Sequence, residues 1–290
     1  MEHMDTRLVG ILRTRPATKP ENTIQAIEIA FELGINAVEI TSNSDHFQKI
    51  VQECSRKKLN IGVGSVKTGV LAKEAITCGA KFLVSPGMFQ DAIAVANEYK
   101  LPIIPGVYDL NEIVKAEELG IKDIKFFPAF AKDNIELLKA IREPFRDEFD
   151  ELHSKGWQII TADELEPGTK HIKISTPTHF YDEYLKRKDE PPSLPIVVKF
   201  PPGKRGFARL KNMVEIFATS KLRFYAVGGV NTSNMNEVLT KYGAYGVCPG
   251  KGIFDPDAIY IGDFDKVKND ARKHVDILRA FEEAWNTYVS

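Results

Sequence analysis

A lysine sits inside an apolar segment, Asp123-Ile124-Lys125-Phe126-Phe127-Pro128-Ala129. Burying an ammonium is costly, so such a lysine needs a carboxylate partner or a depressed pKa. A lysine kept neutral by desolvation is a nucleophile that forms Schiff bases with ketones. The alternative is a strand-end lysine whose tip reaches water along its own stem. A glutamate, Glu39, is set in a similar segment, Ala37-Val38-Glu39-Ile40-Thr41. A carboxylate beside an amine-derived carbinolamine can move protons, and its alternative role is a structural ion pair. Two late segments end in glycines: Val227-Gly228-Gly229-Val230, then Cys248-Pro249-Gly250-Lys251-Gly252. Glycine lets a backbone approach a phosphate closely, although a single Gly-Gly pair is also an ordinary turn. Lys251 is either an added phosphate contact or a solvated loop lysine. His171 and His179 are candidates to face a site but read as solvated loop residues. The six histidines form no cluster and the three cysteines lack metal-ligand spacing, so no metal centre is expected.

The elements that must position these residues alternate. Leu8 to Arg13, Ala37 to Thr41, Ile61 to Val66, Phe82 to Pro86, Pro102 to Val107 and Asp123 to Ala129 read as six short strands. Amphipathic helices separate them: one opening at Asn22-Thr23-Ile24-Gln25 and stopping at Gly34, and one capped by Asp109 with Glu112 three residues on. Phe224 to Val230 and Tyr245 to Gly252 supply two later strands, with a capped helix near Thr232 between them. This alternation is that of βαβ units and predicts a parallel sheet, closed or doubly wound. Arg13, Glu39, Ser65, Pro86 and Lys125 recur at C-terminal strand ends. In a (β/α)8 barrel those ends build the active face.

At 290 residues, 43% hydrophobic and 27% charged, the composition is globular. A net charge of −1 gives no broad electrostatic case for nucleic acid, and no apolar run approaches a membrane span. The polar stretch Met1 to Arg7 predicts no signal peptide, and reduced Cys54, Cys78 and Cys248 suit a cytoplasmic protein.

Taken together, Ile11-Leu12-Arg13, Val38-Glu39-Ile40-Thr41, Gly62-Val63-Gly64-Ser65, Val84-Ser85-Pro86-Gly87, Ile104-Pro105-Gly106, Lys125-Phe126-Phe127-Pro128-Ala129 and Val227-Gly228-Gly229-Val230 resemble, in order, the 2-keto-3-deoxy-6-phosphogluconate (KDPG) and 6-phosphogalactonate (KDPGal) aldolases. That family includes members cleaving 4-hydroxy-2-oxoglutarate. The resemblance implies an α/β fold, a (β/α)8 TIM barrel, and a cofactor-free and metal-free class I aldolase that assembles as a homotrimer. It implies Lys125 as the Schiff-base lysine and Glu39 as the proton shuttle. Arg13, Asn43 and Ser65 would hold the substrate, Pro86 and Phe127 would pack on its pyruvyl part, and Gly228, Gly229 and Gly250 would receive phosphate. The phosphogluconate branch carries arginine where Asn43 stands and threonine where Val227 stands; the phosphogalactonate branch is closer at both. The Lys-Phe-Phe-Pro-Ala strand is closer to the first branch, so the substrate epimer stays open.

One domain spanning 1–290 is expected, with an inserted segment at about 146–195 between the sixth and seventh strands. Glu148 to Lys155 reads as a charged helix, Trp157 to Thr161 and His171 to Ser175 as strands, and Phe180 to Lys188 as a polar helix. Pro191-Pro192 marks a break. After it, Ile196-Val197-Val198-Lys199-Phe200-Pro201 echoes the sixth strand, and its spacing to Gly228 is the family's, so Lys199 rivals Lys125. The upstream spacing favours Lys125. The basic glycine loop at 201–206 could cover an anion or be a solvated turn. The expected activity is Schiff-base cleavage of a 2-keto-3-deoxy-6-phospho sugar acid to pyruvate and glyceraldehyde 3-phosphate. The rivals are a phosphosugar isomerase or epimerase on the same barrel, and a non-catalytic binding or regulatory module.

Overall fold

The structure, a computed structural model, describes residues 4–130, 134–166, 168–198 and 207–289. Lys199 and the loop 201–206 lie outside the described residues. Twelve strands are formed among them: β1 (Val9–Leu12), β2 (Ala37–Thr41), β3 (Ile61–Gly64), β4 (Leu83–Val84), β5 (Ile103–Ile104), β6 (Gly106–Val107), β7 (Asp123–Phe126), β8 (Ile159–Thr161), β9 (Ile172–Ile174), β10 (Ile196–Val198), β11 (Arg223–Val227) and β12 (Gly246–Cys248). Every strand pair is parallel. The architecture is therefore α/β with parallel sheets, as the alternation of segments predicts.

The strands assemble as β1-β2-β3-β4-β5, as β6-β7-β11-β12 and as a small sheet β8-β10-β9. A parallel bridge from Leu8 to Val247 joins the first group to β12. The predicted fifth strand is split at Pro105, which has no N–H to give to a ladder. Residues before it pair with β4 and residues after it with β7, while its own carbonyl accepts the Lys125 N–H at 3.0 Å.

Side-chain alternation divides the apolar material in two. One cluster packs the strands against the helices, with Leu12, Val38, Ile40, Val63, Leu83, Ile124 and Phe126 among its members. The other is made by the opposite faces of the same strands: Val9, Ala37, Phe82, Val84, Ile104, Phe127, Tyr225, Val227 and Cys248. Glu39 follows Ala37 by two residues and Lys125 precedes Phe127 by two, so both fall on this second face. Its floor is polar. Asp123 pairs with Arg223 at 2.6 Å and accepts the Met4 N–H at 2.7 Å, and Arg223 donates to the Met4 carbonyl.

The helix predicted from Asn22 starts at Pro20, because a proline loses nothing in the first turn, where its missing N–H has no partner. Asn22 instead donates its side-chain amide to Ile259 at 2.9 Å. Asp109 caps Leu110–Glu118 as expected, accepting the Glu112 N–H at 3.0 Å. The helix predicted near Thr232 begins at Met235, after a turn in which Asn231 accepts the Ser233 N–H.

Residues between β7 and β11 build the small sheet and, among those described, four α-helices, Asn134–Arg142, Arg146–Ser154, Pro177–Arg187 and Phe207–Ile216. The echo strand β10 lies at the centre of this sheet. β7, by contrast, is hydrogen-bonded beside β11, the strand that ends in Gly228-Gly229. An aromatic cluster ties these helices down: Phe145 packs edge-on to Phe89 and Phe180, and Phe149 stacks on Phe180 at 4.3 Å. No helix among the described residues is long and apolar enough to cross a membrane.

Candidate active site

The C-terminal strand ends surround a cavity of about 760 Å³. Arg13, Glu39, Ser65, Lys125, Phe127, Gly228, Gly229 and Gly250 all line it, as does Lys251. Asn43 and Pro86 do not. The Asn43 amide is drawn sideways to the Glu143 carbonyl at 3.3 Å. Pro86 is buried with its carbonyl against Gly106, where a Cβ would stand 2.4 Å away. Among the described residues, no group of three or more His, Cys, Asp or Glu is placed to hold a metal. His171 and His179 are not lining residues; the His171 ring is exposed and bonded to the Thr169 carbonyl.

Lys125 is 5% exposed, and its Nζ lies 5.0 Å from the centre of the Phe127 ring. Burial pushes its pKa down; the charge of Glu39 opposes that, and the charge of Arg13 reinforces it. Glu39 is 2% exposed, and burial pushes its carboxyl pKa up against the opposing charges of Lys125 and Arg13. No salt bridge within 4.0 Å joins the two groups among the described residues, and Glu39 Oε2 has no hydrogen-bond partner. The pair is thus close enough to feel each other's charge yet not locked as an ion pair. The carboxyl group fits only because residue 64 is glycine: a Cβ there would stand 1.6 Å from Glu39 Oε1. The next residue, Ser65, turns away with φ at +57°, a conformation uncommon for a residue with a Cβ.

Gly228 and Gly229 take φ of +91° and +74°, which makes them true left-handed glycines rather than incidental ones. Their turn is pinned by the Phe130 N–H on the Gly228 carbonyl and the Asn234 amide on the Gly229 carbonyl. Gly250 is different. Its backbone is ordinary and a Cβ would meet nothing closer than 3.7 Å, so only the open approach to the cavity favours glycine there. Arg15 adds a cation to this side, paired with Asp257 at 2.8 Å and set over the Tyr260 ring.

Several lining residues escaped the sequence reading. Cys248 was read as an ordinary thiol, yet it lines the cavity with Glu39 and Lys125, and burial raises its pKa strongly. Its parity on β12 was the available signal. Glu143, Pro144 and Arg146 also line the cavity, from a segment that offers no periodic signal for such a place.

A buried amine and a buried carboxyl at the foot of a cavity in a parallel α/β fold define a candidate carbonyl-addition enzyme. Sequence comparison places that class: residues 4–149, half of the chain, match the family "KDPG and KHG aldolase", and the protein belongs to it. It is 27% identical over 153 residues to the KHG/KDPG aldolase of Escherichia coli (strain K12), covering 50% of this chain and 72% of that one. It is 33% identical over 141 residues to the 2-dehydro-3-deoxy-phosphogluconate aldolase of Treponema pallidum (strain Nichols), covering 46% and 66%. Among solved structures, a native KDPGal structure superposes with a TM-score of 0.64 at 16% identity over 97% of this chain and 98% of that one. The KDPG aldolase of Legionella pneumophila, captured with pyruvate as a covalent carbinolamine, gives 0.58 at 18% identity over 90% and 92%. Both likenesses are of fold.

Proposed function

We propose that the chain is a class I aldolase that cleaves a 2-keto-3-deoxy-6-phospho sugar acid to pyruvate and glyceraldehyde 3-phosphate. The observation that carries this reading is the placement of Lys125 and Glu39, both buried, on one cavity, each pushed by burial toward its uncharged form. The neutral amine adds to the C2 ketone. Glu39 gives a proton to the carbinolamine hydroxyl, which leaves as water, and an iminium remains. The iminium draws in the C3–C4 bonding electrons while the C4 hydroxyl loses its proton, so the aldehyde departs and an enamine stays on Lys125. Protonation at C3 and addition of water then release pyruvate and restore the amine.

In this reading Arg13 and Ser65 hold the keto acid and Phe127 packs on its pyruvyl part. The glycine turns at Gly228, Gly229 and Gly250 receive the phosphate, helped by Lys251 and Arg15. Asn43 and Pro86 act from behind the wall, since neither reaches the cavity surface. The fold reading is a (β/α)8 barrel with an insertion after its sixth strand. It is supported by the bridge from Leu8 to β12 and by the single residue, Pro105, between β5 and β6. The reading includes a cytoplasmic homotrimer, with no cofactor and no nucleic-acid partner.

Borohydride reduction with pyruvate, followed by peptide mapping, tests the chemistry. The adduct is expected on the peptide containing Lys125 and is lost in Lys125→Ala together with retro-aldol turnover. An adduct on the Lys199 peptide would keep the reaction and move the site. Turnover that survives loss of both lysines would point to an isomerase or epimerase instead.

A further inference from the structure

Three successive strand-end loops converge on one turn, Glu143 to Phe145, between the helices Asn134–Arg142 and Arg146–Ser154. Arg13, after β1, pairs its guanidinium with the Glu143 carboxylate. Asn43, after β2, donates to the Glu143 carbonyl at 3.3 Å. Lys67, after β3, donates to the Pro144 carbonyl at 3.2 Å and pairs with Glu148 at 2.5 Å. Phe145 anchors the turn in the aromatic cluster. The turn is therefore held at the mouth of the cavity, and it presents a carboxylate to the cation that acts electrostatically on both Lys125 and Glu39.

A 2-keto acid carries its carboxylate one bond from the carbon that the amine attacks. Arg13 lines the same cavity as Lys125 and its charge acts on that amine, so a carboxylate attached to that carbon has a guanidinium within the cavity to pair with, one that Glu143 already holds. We propose that Glu143 is a specificity-determining residue, an internal competitor that a keto-acid carboxylate must displace from Arg13 before the amine can react. The inference rests on the aldolase reading above. Displacement is easy because Glu143 has a second cation at hand: Arg146 lies 3.7 Å from the same carboxylate and its side chain is partly exposed. The carboxylate passes from one guanidinium to the other and is never left unpaired. A neutral ketone gains nothing from Arg13 and leaves the pair intact, so the exchange favours acids that bind strongly enough to win it.

The test is the half-saturating ketone concentration for borohydride trapping on Lys125, measured for the wild type, Glu143→Gln and Glu143→Asp, with pyruvate and with the neutral ketone hydroxyacetone. Removing the competitor should lower the pyruvate value about one-and-a-half- to fivefold in Glu143→Gln, the range expected for a partly exposed ion pair. Glu143→Asp should fall between, and the hydroxyacetone values should stay together. The maximal trapping rate with pyruvate should be unchanged. A pyruvate value that is unmoved or raised in Glu143→Gln refutes the competition. An equal fall for both ketones also refutes it, showing that the side chain only obstructs the mouth. If the wild type forms no adduct at all, the aldolase reading falls and takes this inference with it, whereas an adduct with an unmoved pyruvate value overturns the role of Glu143 alone.

Discussion

Replacing Gly64 by alanine isolates the placement of Glu39 from its chemistry. The glycine does not carry a left-handed φ, so alanine strains no backbone there; only space is at issue. A Cβ would stand 1.6 Å from Glu39 Oε1 and 2.3 Å from its carboxyl carbon. Restoring van der Waals contact at about 3.5 Å requires the carboxyl to retreat by about 2 Å. A catalytic group misplaced by about 1 Å can cost roughly 10²-fold, and losing general acid–base assistance altogether costs about 10²- to 10⁴-fold. Gly64→Ala should therefore lower kcat for retro-aldol cleavage by about 10²- to 10³-fold. Coupled detection of pyruvate would follow it, with single-turnover trapping to show that carbinolamine dehydration has become slow. Far-ultraviolet circular dichroism and a melting curve would establish that the variant is folded. A folded Gly64→Ala enzyme within about threefold of wild-type kcat would refute the reasoning, because no position of Glu39 compatible with that Cβ keeps its present geometry.

Two further outcomes follow from titration. The Glu39 charge holds the Lys125 pKa up against burial, so Glu39→Gln should move the alkaline-going limb of the trapping profile to lower pH, even as the trapping itself slows; a limb that moves upward contradicts this. Glu112 is half-buried beside Thr176 and Thr178, and its burial raises its pKa from 4.5 to about 7. The folded state thus binds this proton more tightly than the unfolded chain. The resulting stabilisation is complete below about pH 4.5 and is lost as pH rises through about 7, a change on the order of 3 kcal/mol. Denaturant unfolding should show Glu112→Gln gaining on the wild type between pH 5 and pH 8; parallel pH curves for the two proteins would contradict the assignment.

The legible part of this site is the part fixed by strand parity. Glu39 and Lys125 stand on strands whose other inward positions are apolar, so an alternating pattern was enough to place both on one face. The Asp109 cap was equally plain, because the cap and the N–H that donates to it are three residues apart in sequence. What could not be read is whatever depends on how loops fold over the strand ends. Asn43 and Pro86 sit at strand ends as the cavity residues do, but one is drawn off by the Glu143 carbonyl and the other packs its carbonyl on Gly106. Glu143 reaches Arg13 across 130 residues of chain, through a turn that the Asn43 and Lys67 hydrogen bonds and the aromatic cluster around Phe145 position. The echo of the sixth strand falls on β10, which has the composition of a core strand and stands at the centre of the smaller sheet, while Lys199 itself lies outside the described residues.

One physical cause accounts for both halves of the proposed chemistry. In water, a lysine and a glutamate side by side are an ammonium and a carboxylate, neither of which does the job: the ammonium has no lone pair to attack a ketone, and the carboxylate has no proton to lend a leaving hydroxyl. Moving the pair into a low-dielectric chamber penalises two charges at once, and a proton passed from Lys125 to Glu39 removes both penalties together. The attraction between the charged forms resists that transfer, but it falls with separation, and here no contact within 4.0 Å locks the pair. The carboxyl's seat over Gly64 is what keeps that separation. In the proposed chemistry, burial therefore pushes both groups the useful way at once, the amine toward its nucleophilic form and the carboxyl toward its proton-donating one.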